Sequence, residues 1–276
     1  MSRRKGELGS DAHARPFIKW VGGKRQLLSE ILARTPKKYG VYYEPFIGGG
    51  AVFFALAPTR AVVSDANERL IRTLKGVRDD VDGVIERLSS YPYEKQFFLS
   101  MRDRDIDAAN DAEMAAWFVY LNRSCFNGLY RVNRKGRFNV PFGRYTNPRL
   151  CDPENLRACS AALLRADVGV APFEAVLDRA ERGDFVYFDP PYVPLSATSS
   201  FTSYTSNGFD MASHERLRDV AVTLRSRGVH VLISNSSAPF VRNLYSGFRI
   251  DEVYASRSVN SKASARGKIV ELLISG

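Results

Sequence analysis

Residues 188–192, Phe-Asp-Pro-Pro-Tyr, set a carboxylate, two prolines and a phenol directly behind an apolar run. Proline has no backbone N–H and a fixed φ. Pro190 and Pro191 therefore leave a rigid row of carbonyl acceptors beside Asp189. Such a row matches the two N–H bonds of an exocyclic amine, and Tyr192 offers a flat face on which a base stacks. Taken alone, the same four residues are also compatible with a merely rigid turn.

A second group of chemistry-bearing residues is Glu-Pro-Phe-Ile-Gly-Gly-Gly at 44–50. Gly48 and Gly50 let a ligand approach the backbone, and a helix N-terminus behind them favours a negative group. The dinucleotide fingerprint is incomplete, because Ala51, Val52 and Phe53 follow Gly50 where a third glycine is needed. Asp65 closes the next strand-like run, where a carboxylate accepts both hydroxyls of a ribose. An acid and a glycine turn without a phosphate fingerprint suit a nucleoside bearing an amino acid, such as S-adenosylmethionine. An ordinary tight turn is the alternative. Gly22-Gly23-Lys24 lacks the spacing and the following Ser or Thr of a P-loop. Lys24 at a helix start is instead placed to meet a carboxylate, unless the stretch is a structural loop.

These residues need a frame to hold them. Lys24 to Arg34 has helical spacing, with Leu27, Leu28, Ile31 and Leu32 on one face and Pro36 ending it. Val41–Phe46 predicts a strand, Ala51–Ala57 a helix and Arg60–Asp65 a second strand, a right-handed βαβ start. From Asn67 to about Cys151 helical patterns replace the alternation, notably at 66–77 and 111–122. Alternation returns with Asp167–Val170, the strand ending at Asp189, a helix over 214–227 and the strand Val229–Asn235. The stretches 248–255 and 268–275 predict a closing antiparallel hairpin. Between them, Arg257–Lys268 holds four cations and no acid and reads as a mobile loop.

With 276 residues and 45% hydrophobic content, the chain has ample material for a packed core. No run approaches the length of a membrane span, and the polar, basic first residues are no secretory signal. Cys125, Cys151 and Cys159 have no metal-ligand spacing, and His13, His214 and His230 stand apart from them. A zinc site is not expected, and a reduced, cytosolic setting is. The net charge of +10 is focused. Arg123 to Arg149 holds seven basic residues and no acid, interleaved with Phe126, Tyr130, Phe138, Phe142 and Tyr145. That pattern points to a polyanion.

In the order and content of these motifs the chain resembles the Dam-type DNA adenine methyltransferases over nearly its full length. The matching stretches are KWVGGK at 19–24, EPFIGGG at 44–50, Asp65, the block at 120–145 and DPPYVPLSATSSF at 189–201. The resemblance implies an α/β fold: a Rossmann-like mixed sheet with helices on both faces and an inserted, mainly helical DNA-recognition domain. The catalytic domain would comprise 14–66 and 152–276, the recognition domain 67–151, and residues 1–13 a flexible arm.

By the same resemblance Trp20, Lys24, Glu44, Phe46, Gly48, Gly50 and Asp65 would line an S-adenosylmethionine site, with Asp189 at its edge. Asp189 and the Pro190 carbonyl would hold an adenine amino group, Pro191 would stiffen the turn, and Tyr192 would stack on the base. Arg131 would read a guanine. Phe126 and Asn127 would act at the disrupted base step, Leu129 and Pro141 would touch thymine, and Lys19 the outer guanine. Asn139, Arg144 and Tyr145 complete the expected DNA face, with Ser196 and Thr198 at phosphates. Phe126 stands where relatives often carry Tyr, and Ser124, Cys125 and Tyr130 also depart from the common pattern. The implied reaction is methyl transfer to N6 of a flipped adenine in double-stranded DNA, within GATC, by a cytoplasmic monomer with no obligate protein partner. N4 of cytosine or an amine in RNA is the rival substrate, and a DNA-binding module without activity the rival class.

Overall fold

The structure is a computed structural model and describes residues 13–195, 209–256 and 268–276. The expected arm, apart from His13, and the basic loop over 257–267 lie outside those residues, as do Ser196 and Thr198.

Seven strands form one sheet in the order β3-β2-β1-β4-β5-β7-β6. They are β1 (Tyr42–Glu44), β2 (Ala61–Asp65), β3 (Ala166–Val170), β4 (Phe185–Phe188), β5 (His230–Ser236), β6 (Arg249–Ser256) and β7 (Lys268–Ser275). The first five are parallel, while β7 pairs antiparallel with β5 and β6. The mixed α/β architecture expected from the sequence is therefore present, closing hairpin included.

The central strands are apolar on both faces, as parallel strands covered on both sides must be. Tyr42, Phe185 and Tyr187 point into one hydrophobic cluster, and Tyr43, Val186 and Phe188 into the other. The first cluster is completed by α1 (Leu28–Ala33), α2 (Ala51–Leu56), α3 (Glu68–Asp79), α4 (Val81–Ser90), α5 (Lys95–Asp103), α6 (Asp111–Ser124) and α7 (Pro153–Leu163). The second is completed by the 3-10 turns at Phe173–Asp178, by α8 (Met211–Ser226) and by α9 (Pro239–Leu244). One expectation needs correction. The helix foreseen over 24–34 is a 3-10 turn at Lys24–Gln26 followed by α1. The tighter start accompanies a bond from the Lys24 ammonium back to the Gly22 carbonyl at 2.7 Å.

Helices α3 to α7 lie in the connection between β2 and β3. Asn67 and Asn110 start α3 and α6 by accepting the backbone N–H of Leu70 and Glu113. α6 is buried nearly all round, from Ala112 to Ser124, which is why its sequence shows weak amphipathicity. α3 and α6 touch at Gly76, where a Cβ would lie 2.6 Å from the Asp111 carbonyl carbon and 2.9 Å from the Ala115 Cβ. Gly76→Ala should therefore lower stability by about 1–3 kcal/mol, the range for overpacking, although alanine is the better helix former. A urea midpoint equal to or above that of the unsubstituted chain would contradict this close approach.

Candidate active site

β1 and β4 lie side by side, and the sheet runs outward from them in both directions. Ligands of open α/β sheets bind at the carboxyl ends of such strands. Glu44 ends β1 and Asp189 follows β4, so two acids meet there. Asp189 is not left bare. Its Oδ1 receives the Lys24 ammonium at 2.8 Å and the Ser234 hydroxyl at 2.7 Å. The same ammonium stands 4.6 Å from the centroid of the Tyr192 ring. Lys24 thus pairs with Asp189. Its nitrogen, rich in N–H bonds, touches both a carboxylate and an aromatic face, the two groups inferred to hold an amine.

Glu44 is 2% exposed and accepts the Tyr42 hydroxyl at 2.8 Å. Burial above all, with the charge of Asp189 adding to it, pushes the Glu44 carboxyl well above the ordinary carboxylate range against the pull of that hydrogen bond. Tyr192 donates to Glu271 Oε2 at 2.7 Å. Burial first, and the Asp189 charge second, push its phenol well up, so the ring is neutral.

At the glycine turn Gly48 and Gly50 have φ of +47° and +70°. A Cβ on Gly48 would lie 2.7 Å from Trp20 Cδ1, and one on Gly50 2.9 Å from Phe54 Cε2. The bare positions thus admit aromatic rings of the chain itself. Trp20 stacks at 23° on Tyr130 and at 22° on Phe118, which joins the turn to α6. Asp65 accepts the N–H of Gly48 at 3.1 Å and of Asn67 at 2.9 Å. Burial raises its carboxyl, while these N–H bonds oppose the shift.

Next to Asp65 opens a cleft of about 320 Å³ whose walls include Pro45, Phe46, Ala66, Pro172, Phe173 and Phe209. Phe46 and Phe173 stack with centroids 5.6 Å apart. Of these wall residues the sequence reading named Phe46 alone. The available signal was an aromatic just past β3, at the same edge of the sheet as Asp65.

The basic block folds as an irregular hairpin beyond α6. Val132 bridges Phe138 and Cys125 bridges Phe142. Phe126 is 51% exposed, and Asn127 beside it takes a φ of +56°. Arg131 is exposed and is held by Asn139, whose side-chain oxygen and carbonyl accept its Nε and Nη2 at 2.7 and 3.2 Å. Pro141 and Arg144 are exposed, and Leu129 is half-buried. Tyr145 donates to the Cys125 carbonyl at 3.0 Å, and Lys19 lies over its ring at 4.7 Å. Lys19 and Tyr145 thus pack together beside the hairpin. Asn122, which the sequence reading passed over, fastens it. Its side chain exchanges bonds with the Lys19 backbone at 2.7 and 2.8 Å and reaches the Gly128 carbonyl at 2.8 Å.

The pattern of the D12 class N6 adenine-specific DNA methyltransferases matches residues 20–259. The type II methyltransferase M1.LlaDCHI of Lactococcus lactis subsp. cremoris is 47% identical, over 94% of each chain. M.MjaIII of Methanocaldococcus jannaschii, also a type II methyltransferase, is 42% identical over 94% of this chain and 98% of its own length. A DNA adenine methylase of Vibrio cholerae is 36% identical over 94% of this chain and 95% of its own. On both grounds the chain belongs to the D12 class of N6 adenine-specific DNA methyltransferases.

Proposed function

We propose that the chain transfers a methyl group from S-adenosylmethionine to N6 of an adenine flipped out of duplex DNA, within GATC. The observation that carries this reading is the Lys24 ammonium, held 2.8 Å from Asp189 and 4.6 Å from the Tyr192 ring. A site that stabilises a nitrogen in that place has the groups to receive an adenine amino group once Lys24 moves away.

The residues at the sheet edge fit the cofactor. The cleft beside Asp65 has flat apolar walls for an adenine ring, Asp65 retains lone pairs for ribose hydroxyls, and Glu44, the glycine turn and, once it leaves Asp189, Lys24 would receive the amino-acid end. When bound, the cofactor supplies an electrophilic methyl group. Asp189 and the Pro190 carbonyl accept the two N–H bonds of the target amine and draw it toward tetrahedral geometry, which exposes its lone pair. Tyr192, tethered to Glu271, stacks on the base. Catalysis is then positioning and electrostatics. Asp189 need not act as a strong base, because the methylated amine is itself acidic before it loses its proton.

A base inside a duplex is out of reach of this pocket, and flipping it costs on the order of a few kcal/mol. The basic face from Lys19 to Tyr145 offsets that cost through phosphate contacts, and exposed Phe126 can fill the gap. The likeness of the 120–145 block to its family supports GATC as the target, with Arg131 bidentate to a guanine. The domain division into 14–66 with 152–276 and 67–151 assigns chemistry to one part and target reading to the other. Among the described residues no helix is long and apolar enough to cross a membrane. A DNA substrate and three free thiols suit a cytoplasmic enzyme acting as a monomer.

Asp189→Ala should abolish methyl transfer while the dissociation constant for duplex DNA changes little, and retained turnover would refute the role given to Asp189. Arg131→Ala should cost about 1–3 kcal/mol of discrimination at a single guanine. Rates on duplexes with each position replaced in turn check this, and an equal loss on every sequence would make Arg131 a phosphate contact.

A further inference from the structure

Behind the catalytic turn lies a chain of buried hydroxyls that the transfer reaction does not itself use. Ser234, fully buried on β5, donates to Asp189 Oδ1 at 2.7 Å. The Tyr187 hydroxyl on the neighbouring β4, also fully buried, lies 2.9 Å from the same Ser234 oxygen. A serine has one proton to give. With that proton committed to Asp189, the Tyr187 hydroxyl is the donor in the second bond, and the chain runs in one direction, Tyr187 to Ser234 to Asp189. Both groups that meet Asp189 here, Lys24 and Ser234, fall on Oδ1. Lys24 has to leave when an amine enters, whereas Ser234 is part of the sheet and stays.

The rest of the strand end grips the residues that follow. Asn235 Oδ1 accepts the Val193 N–H at 3.2 Å, and the Ser236 hydroxyl donates to the Val193 carbonyl at 2.5 Å. Glu271, opposite Ser236 on β7, takes the Tyr192 hydroxyl. Asp189, Tyr192 and Val193 are thus each tied to the sheet from behind.

We propose that Ser234, oriented by Tyr187, is a positioning residue for methyl transfer. It binds Oδ1 of Asp189 and fixes the carboxylate plane, so that the carboxylate meets the incoming amine in a single orientation. This rests on the reading of Asp189 as the amine's acceptor and holds for any target amine. A mobile carboxylate would meet the amine in a spread of geometries, and small misplacements of a reacting group cost up to about a hundredfold in rate.

The test is single-turnover methyl transfer by Ser234→Ala, Ser234→Thr and Tyr187→Phe, alongside dissociation constants for duplex DNA and S-adenosylmethionine and thermal unfolding. Ser234→Ala should slow transfer about tenfold to a hundredfold with both binding constants unmoved, lowering kcat rather than raising KM, while the unfolding midpoint falls because the buried Tyr187 hydroxyl loses its acceptor. Ser234→Thr, which keeps the hydroxyl, should restore most of the rate, and Tyr187→Phe should lose less than Ser234→Ala. A Ser234→Ala rate within twofold of the unsubstituted enzyme overturns the proposal. So does a loss that tracks the binding constants and is not restored by threonine. The methylated base, read by mass spectrometry, is a separate readout: cytosine in place of adenine would sink the substrate assignment and leave the rate ratio to judge Ser234. Should the unsubstituted chain transfer no methyl at all, crystals decide. An Asp189 carboxylate that rotates in Ser234→Ala supports the proposal, and one that keeps its orientation overturns it.

Discussion

A carboxylate placed at the end of a fully buried strand must have partners, because an isolated charge in that setting is strongly unfavourable. Asp189 meets this constraint with Lys24 and Ser234 on one oxygen. The Lys24 side chain is 8% exposed, so removing either member of the ion pair would leave a charge largely cut off from water, a loss of about 3–5 kcal/mol in comparable pairs. The surrounding architecture follows from it. β4 carries the acid to the sheet edge, β5 supplies the hydroxyl, and the 3-10 turn at Lys24–Gln26 bends the ammonium back over the tyrosine.

Through the segment that carries Lys24 the same pairing reaches the basic hairpin. The segment from Phe17 to Lys24 joins Asp189, the glycine turn and the basic hairpin. The Phe17 carbonyl takes the Arg123 guanidinium at 2.7 and 3.0 Å, the Lys19 backbone is clasped by Asn122, and Trp20 packs between the glycine turn and Tyr130. A displacement of Lys24 by an incoming amine therefore acts on a segment already fastened to the basic hairpin. The strand-end acid and the basic hairpin share a physical connection in this segment, and α6, buried nearly all round, gives that connection a rigid base.

Much of this was legible in the sequence. The strands declared themselves because both faces of a covered parallel sheet are apolar, and Asp189 stood out because a proline pair behind a core strand has little packing rationale. The basic hairpin was visible as a run of cations without acids. Other parts were silent for physical reasons. Ser234 and Glu271 occupy ordinary strand positions, and nothing in their spacing tells which loop they will face. Asn122 lies inside a helix whose periodicity is masked by all-round burial. The wall residues Pro172 and Phe173 follow β3 without a motif. Gly48 and Gly50 also leave room for side chains of the chain itself, Trp20 and Phe54. Close approach to the backbone looks alike in sequence whether the visitor is a cofactor or a side chain.

The account turns on one chemical assignment, that the nitrogen received between Asp189 and Tyr192 is N6 of adenine in duplex DNA. Duplex DNA incubated with the purified chain and isotopically labelled S-adenosylmethionine, then digested to nucleosides and resolved by mass spectrometry, tests it directly. N6-methyladenine as the labelled product is the predicted result. Labelled N4-methylcytosine in its place, or label in RNA but not in DNA, would contradict it.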